Sequence, residues 1–81
     1  MSNPASLILL VIPYIEQMIG LEIPKFCSMK ELDKKLRDYF IFPLTGPSPQ
    51  YFYQPEFSRL ILEDETIETA QLQNGDIVYW I

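Results

Sequence analysis

The chain has 81 residues, 48% of them hydrophobic, and a net charge of −5 from 6 basic and 11 acidic side chains. That length fits a single domain over 1–81, and the apolar fraction suits a packed core rather than a disordered tail. The acidic balance argues against nucleic acid and anionic membrane surfaces as partners, since both are met with basic side chains.

The first predicted strand is Leu7–Pro13, a continuous apolar run too short for a helix and bounded by Pro4 and Pro13. The apolar run Leu7–Tyr14 falls far below the roughly 20 residues that span a bilayer, and no basic stretch precedes it, so neither an anchor nor a signal peptide is expected. A turn at Tyr14–Gln17 leads into Met18–Ile23, where Ile19, Leu21 and Ile23 alternate with Gly20 and Glu22. Period two predicts a second strand paired back as a hairpin.

Ser28-Met-Lys-Glu31 reads as a capping box that opens a helix. Met29, Leu32, Leu36 and Tyr39 or Phe40 form its apolar stripe, with Lys30, Asp33, Lys34 and Arg37 on the other faces. Lys34 and Asp38 have the spacing of an i,i+4 ion pair. Prolines and Gly46 make Ile41–Pro49 a loop. Tyr51–Tyr53 is a short aromatic strand, Gln54–Ser58 a turn and Arg59–Leu62 a fourth strand. Thr66–Ala70 is placed as one helical turn, Asn74-Gly75-Asp76 as a tight turn and Ile77–Ile81 as the closing strand. The order β, β, α, β, β, β predicts an α+β domain: a mixed sheet packed on one helix.

Nothing in this pattern carries catalysis. Histidine is absent, and there is no nucleophile elbow, Gly-rich phosphate loop or metal-ligand cluster, so no catalytic residue, cofactor or metal is expected. Glu63, Asp64, Glu65 and Glu68 lack the glycine bend of a wrapping cation loop and read as a solvated turn. Cys27 cannot form an internal disulfide and reads as a small buried apolar residue.

The strands point instead to a surface. If Val78 and Trp80 face the helix, Ile77, Tyr79 and Ile81 lie on the open side of the sheet. Leu7–Ile12 is apolar at both parities, so whichever set faces inward, the other faces out. Sheets with one wet face normally alternate apolar and polar residues. Either the 41–49 loop, with Phe42 and Leu44, folds over that face, or the face docks a partner or a second copy of the chain. Tyr51 and Tyr53 share a face, which the sequence leaves open. Lys30, Lys34 and Arg37, with Lys35, form a second candidate, an electrostatic patch for an acidic partner.

The element order resembles the ubiquitin-like β-grasp fold. The nearest local likeness is in the last third, where Glu63-Asp64, Thr66-Ile67, Leu72, Asn74-Gly75-Asp76 and Val78 stand at the spacing typical of such domains. Within that superfamily the chain is similar in length, and over Met18–Leu32, to the YukD/EsaB-type small proteins of Gram-positive type VII secretion. The resemblance implies a cytoplasmic, non-enzymatic accessory protein that binds secretion-machinery components. It also admits a small subunit of a bacterial multicomponent monooxygenase, or a modifier of a bacterial conjugation pathway. Modifiers and sulfur carriers of this superfamily end in a flexible Gly-Gly tail. Val78-Tyr-Trp-Ile81 reads as strand, so modifier activity is not expected.

Overall fold

The computed structural model describes residues 5–42 and 46–81. Five strands, β1 (Ala5–Ile12), β2 (Gln17–Pro24), β3 (Phe52–Gln54), β4 (Arg59–Ile61) and β5 (Ile77–Trp80), form one sheet, and α1 (Met29–Tyr39) crosses one side of it. The strand order is β2-β1-β5-β3-β4. The central pair β1–β5 is parallel and the remaining pairs are antiparallel, so the predicted mixed sheet on one helix is the architecture found.

The parity of β1 follows from what lies over it. Ser6, Ile8, Leu10 and Ile12 point to the helix side and are buried. Ile8, Leu10 and Ile12 meet Val78 and Trp80 of β5, Phe52 of β3, Ile61 of β4 and the helix stripe Met29, Leu32 and Leu36. Ile19, Leu21 and Ile23 of β2 face the same way, as their alternation predicts. Removing each such side chain from water contributes about 1.5–3 kcal/mol.

Trp80 is fully buried at the centre of this layer. Its ring stacks on Phe52 with centroids 6.0 Å apart and meets Phe42 edge-on at 5.4 Å. Its indole N–H donates to Asp33 Oδ1 at 3.2 Å, and the Arg37 guanidinium sits 5.3 Å from the ring centroid. Asp33 also pairs with Arg37 at 2.8 Å. The helix ion pair among the described residues is therefore Asp33–Arg37 rather than Lys34–Asp38, because the tryptophan beneath the helix draws Asp33 and Arg37 to itself. Phe42 lies with Trp80 on the helix side, not over the open face; Leu44 falls outside the described residues.

The helix starts where the capping motif places it. Ser28 Oγ accepts from the Glu31 amide at 3.1 Å, and the Met29 and Lys30 amides donate to the carbonyls of Glu65 and Glu63, both at 2.9 Å. The acidic turn thus serves the helix through its backbone, satisfying donors that a helix start leaves unpaired. The return contact expected from the Glu31 carboxylate is not among the hydrogen bonds described; Ser28 instead forms a β-bridge with Thr66.

Both hairpins turn through a single 3₁₀ turn opened by proline, at Pro13–Ile15 and Pro55–Phe57. Each closes on a left-handed residue, Glu16 at φ 53° or Ser58 at φ 49°. Thr66–Ala70 makes its one helical turn, with the Ala70 amide donating to the Thr66 carbonyl and Thr66 Oγ1 accepting from the Thr69 amide. Gly75, at φ 88°, lets Asn74–Asp76 reverse the chain. This turn docks on β1: the Leu7 amide donates to Asn74 Oδ1 at 2.7 Å, and the Gly75 amide donates to the Leu7 carbonyl at 2.8 Å.

Candidate protein-docking surface

The side of the sheet away from α1 is assembled by register. Leu9 lies beside Gly20 on one neighbour and Ile77 on the other; Val11 lies between Met18 and Tyr79. Tyr79 continues to Tyr53, and Tyr53 to Leu60. Paired residues share a face. One band therefore runs from Met18 through Val11, Tyr79 and Tyr53 to Leu60, with Leu7, Leu9 and Ile77 beside it. Leu7 and Ile77 are each 43% exposed, Leu60 50% and Met18 67%. Gly20 carries no side chain there, and a Cβ at its position would lie 3.5 Å from Leu7 Cδ1.

The residues expected on this face divide between its strand and the strand's end. Ile77 and Tyr79 belong to β5. Ile81 follows it and is tied to β3's approach: its amide donates to the Tyr51 carbonyl at 2.8 Å, and its carbonyl accepts from the Gln50 and Tyr51 amides at 2.7 Å. The sequence did not name Met18 or Leu60 as members. Leu60 is a lone apolar residue within Arg59–Ile61. Met18 was legible as a strand start on the side of Gly20 and Glu22, but its meeting with Val11 and Tyr79 in one band follows only from the register.

Glu22 is the one charged residue at the described strand positions of this face. It stands opposite Leu7, so Leu9, Ile77 and Tyr79 can be covered by a partner without stripping water from an ion directly beside them. The face lies across the sheet from Trp80, so its groups can be altered without cutting into the tryptophan cluster.

The electrostatic candidate lies along α1, with its members differently engaged. Lys30 and Lys34 are exposed on the helix. Arg37 is engaged with Asp33, with the Trp80 ring and with the Pro49 carbonyl, which holds the end of the 46–49 segment against the helix. Cys27 is buried, and burial raises its thiol pKa above the ordinary value, which keeps it protonated and unreactive at neutral pH. Among the described residues no group of His, Cys, Asp and Glu could hold a metal ion. Glu65 of the acidic turn is used within the fold: its Oε1 accepts from the Leu62 amide at 3.0 Å, and its Oε2 lies 3.7 Å from Arg59. No helix among the described residues is long and apolar enough to cross a membrane.

No protein-family model and no curated protein matches the chain. Solved structures do. An N-terminal ubiquitin-like domain aligns with a TM-score of 0.72 at 8% identity, over 99% of this chain and 76% of that one. The UBL domain of yeast Ddi1 aligns with a TM-score of 0.68 at 11% identity, over 98% and 90% of the two chains. The fold is a ubiquitin-like β-grasp. A chain of the toluene 4 monooxygenase HD complex, solved with the inhibitor 4-bromobenzoate, aligns with a TM-score of 0.71 at 13% identity, over 93% of this chain and 94% of that one. The shared ubiquitin-like scaffold is a sheet with one covered and one open side.

Proposed function

We propose that this ubiquitin-like protein is a non-enzymatic binding module whose open sheet face, centred on Ile77, Tyr79 and Ile81, docks a protein partner. The observation that supports this most is the band from Met18 to Leu60, apolar or aromatic across the whole sheet where a solvent face would alternate with charge. Tyr79, half-buried in its middle, is suited to be the anchor, since aromatic residues dominate such contacts. The exposed Lys30 and Lys34 would steer an acidic partner from a distance.

The biological setting we infer is that of a cytoplasmic accessory or regulatory component of a bacterial type VII secretion system. Chain length, element order and the strand–turn–helix pattern of Met18–Leu32 favour it. A second setting, a small subunit of a multicomponent monooxygenase, is favoured by the likeness to a chain of the toluene 4 monooxygenase complex, which extends over nearly the full length of both chains.

The test is capture from the native host with the full chain and with a variant carrying Tyr79→Glu and Ile81→Lys, its fold checked by circular dichroism. Recovery of a secretion ATPase or membrane component by the wild type alone supports the first setting, and recovery of a diiron hydroxylase supports the second. A covalent adduct with an activating enzyme overturns both in favour of a modifier. Equal capture by the variant overturns the docking face. Self-association through this face, the other occupant that the sequence suggests, would be lost in the same variant.

A further inference from the structure

The two edges of the sheet are unlike. β4 is three residues long, whereas β2 is eight. Long edges invite pairing and are usually blunted by lysines, bulges or prolines. β2 carries no lysine, and its one proline, Pro24, stands at its last position.

The backbone direction along β2 can be fixed from its neighbour. The Leu7 amide donates to Asn74 and the Leu7 carbonyl accepts from Gly75, while the Leu9 amide donates to the Asp76 carbonyl. The odd residues of β1 thus bond toward β5, and the even residues bond toward β2. Their partners Ile19, Leu21 and Ile23 face inward along the ladder. In an antiparallel ladder the alternate residues point their amides and carbonyls the other way. Met18, Gly20 and Glu22 therefore offer theirs to the free edge.

We propose that β2 pairs with β2 of a second copy of this chain, antiparallel about a two-fold axis at Gly20, to make one ten-stranded sheet. Outward-bonding residues must face outward-bonding residues, and the register centred on Gly20 meets this by setting Gly20 opposite Gly20 and Met18 opposite Glu22 in both directions. Each of these pairs exchanges two backbone bonds. The intervening pairs set Ile19 against Leu21, in the positions where side chains of a ladder come closest. Both are half-buried in the single chain. They line a groove of about 470 Å³ between β2 and α1, with Cys27, Leu32 and Leu36 at its floor. The axis stands perpendicular to the sheet, so the two helices fall on one side and the two grooves merge.

Charge selects the second copy over an unrelated extended segment. Glu16 immediately precedes β2 and Lys25 immediately follows it. Neither is in an ion pair among the described residues. Antiparallel self-pairing brings the acidic start of each strand to the basic end of the other, twice by symmetry. Glu22 faces Met18, so no like charges stand directly opposite. The contact is small, below about 1,200 Å², and the dimer is weak and concentration-dependent.

Sedimentation velocity on the full chain, from low micromolar to about 1 mM, reads this directly. The wild type passes from monomer to dimer across that range. Gly20→Pro removes an outward amide at a position where an edge strand tolerates proline, and it should raise the dissociation constant at least tenfold, by roughly the loss of the axial bonds. Lys25→Glu and Glu16→Lys should each weaken association about fivefold, and the two together should restore it, the scale expected of paired surface ions. A merely damaged fold would not be rescued by the second change. A chain that stays monomeric throughout overturns the proposal, as does a dimer indifferent to Gly20→Pro or to Lys25→Glu. The Tyr79→Glu, Ile81→Lys variant should dimerise like the wild type. If it alone abolishes association, the open face is the interface and the edge is not. An extended peptide that binds the monomer at β2 with no dimer formed also overturns it.

Discussion

Asp33 and Arg37 look, in the sequence, like two more charges on the wet side of a helix. Their spacing permits an ion pair, but nothing nearby reveals that Trp80, 47 residues from Asp33, donates its indole N–H to that carboxylate. The partner of a partly buried charge is a matter of tertiary approach, and local patterns are silent about it. Cys27 is the opposite case, since a lone cysteine with no disulfide partner is readable as a small core residue. Its behaviour with pH follows from burial, which disfavours the thiolate and raises its pKa in the folded chain, with Lys35 opposing the shift and Glu31 adding to it. The unfolded chain then releases its proton first. Stability from this group is complete below the ordinary thiol pKa, about 8.5, and is lost as pH rises beyond it. Urea unfolding between pH 7 and 10 should show this loss in the wild type, and Cys27→Ala should flatten it. A slope unchanged by the substitution would assign the pH dependence to other groups.

The helix was legible to within a residue at its start because its signals are local: a capping serine, an apolar stripe at helical spacing and prolines beyond. Ser28→Ala removes the acceptor for the Glu31 amide and should lower stability by about 1 kcal/mol, near 4–8 °C in melting temperature for a domain of this size. Thermal melting followed by far-ultraviolet dichroism measures it, and a shift below about 1 °C would mean that the backbone acceptors at Glu63 and Glu65 suffice. β1 was legible as a strand but not in its parity. Alternation is what tells a strand's two sides apart, and Leu7–Ile12 has none. The helix, lying over the even residues, decides it. Through the register, that decision also fixes the side of Tyr53 and Leu60. The same ambiguity that hid the parity is what made an apolar open face readable at all. Phe42 went the other way: its loop was expected, as one alternative, to fold over the open face, and its edge contact with Trp80 puts it on the helix side.

At the scale of the whole molecule the element order was enough to predict a mixed sheet under one helix, because a single helix can cover only one side of five strands. The pairing of β2's free edge, in contrast, is visible only once the direction of each amide is known. The meeting of β1 and β5 has a further consequence, which concerns tension. Leu9, Leu10 and Val11 lie beside Ile77, Val78 and Tyr79 and run the same way, so the start of one strand and the finish of the other point to opposite ends of the molecule. A pull applied between residues 5 and 81 therefore slides these strands lengthwise and loads all their bonds together. A pull applied between residues 5 and 24, at the open end of the β1–β2 hairpin, parts the bonds one after another. Single-molecule stretching should find a distinctly higher rupture force for the first attachment than for the second, since forced unfolding reports the barrier along the pulled direction. Equal forces would mean that the central strand pair does not carry the load. In the sheared geometry the protein is a small mechanical clasp, stronger along the line from residue 5 to residue 81 than across the mouth of its hairpin.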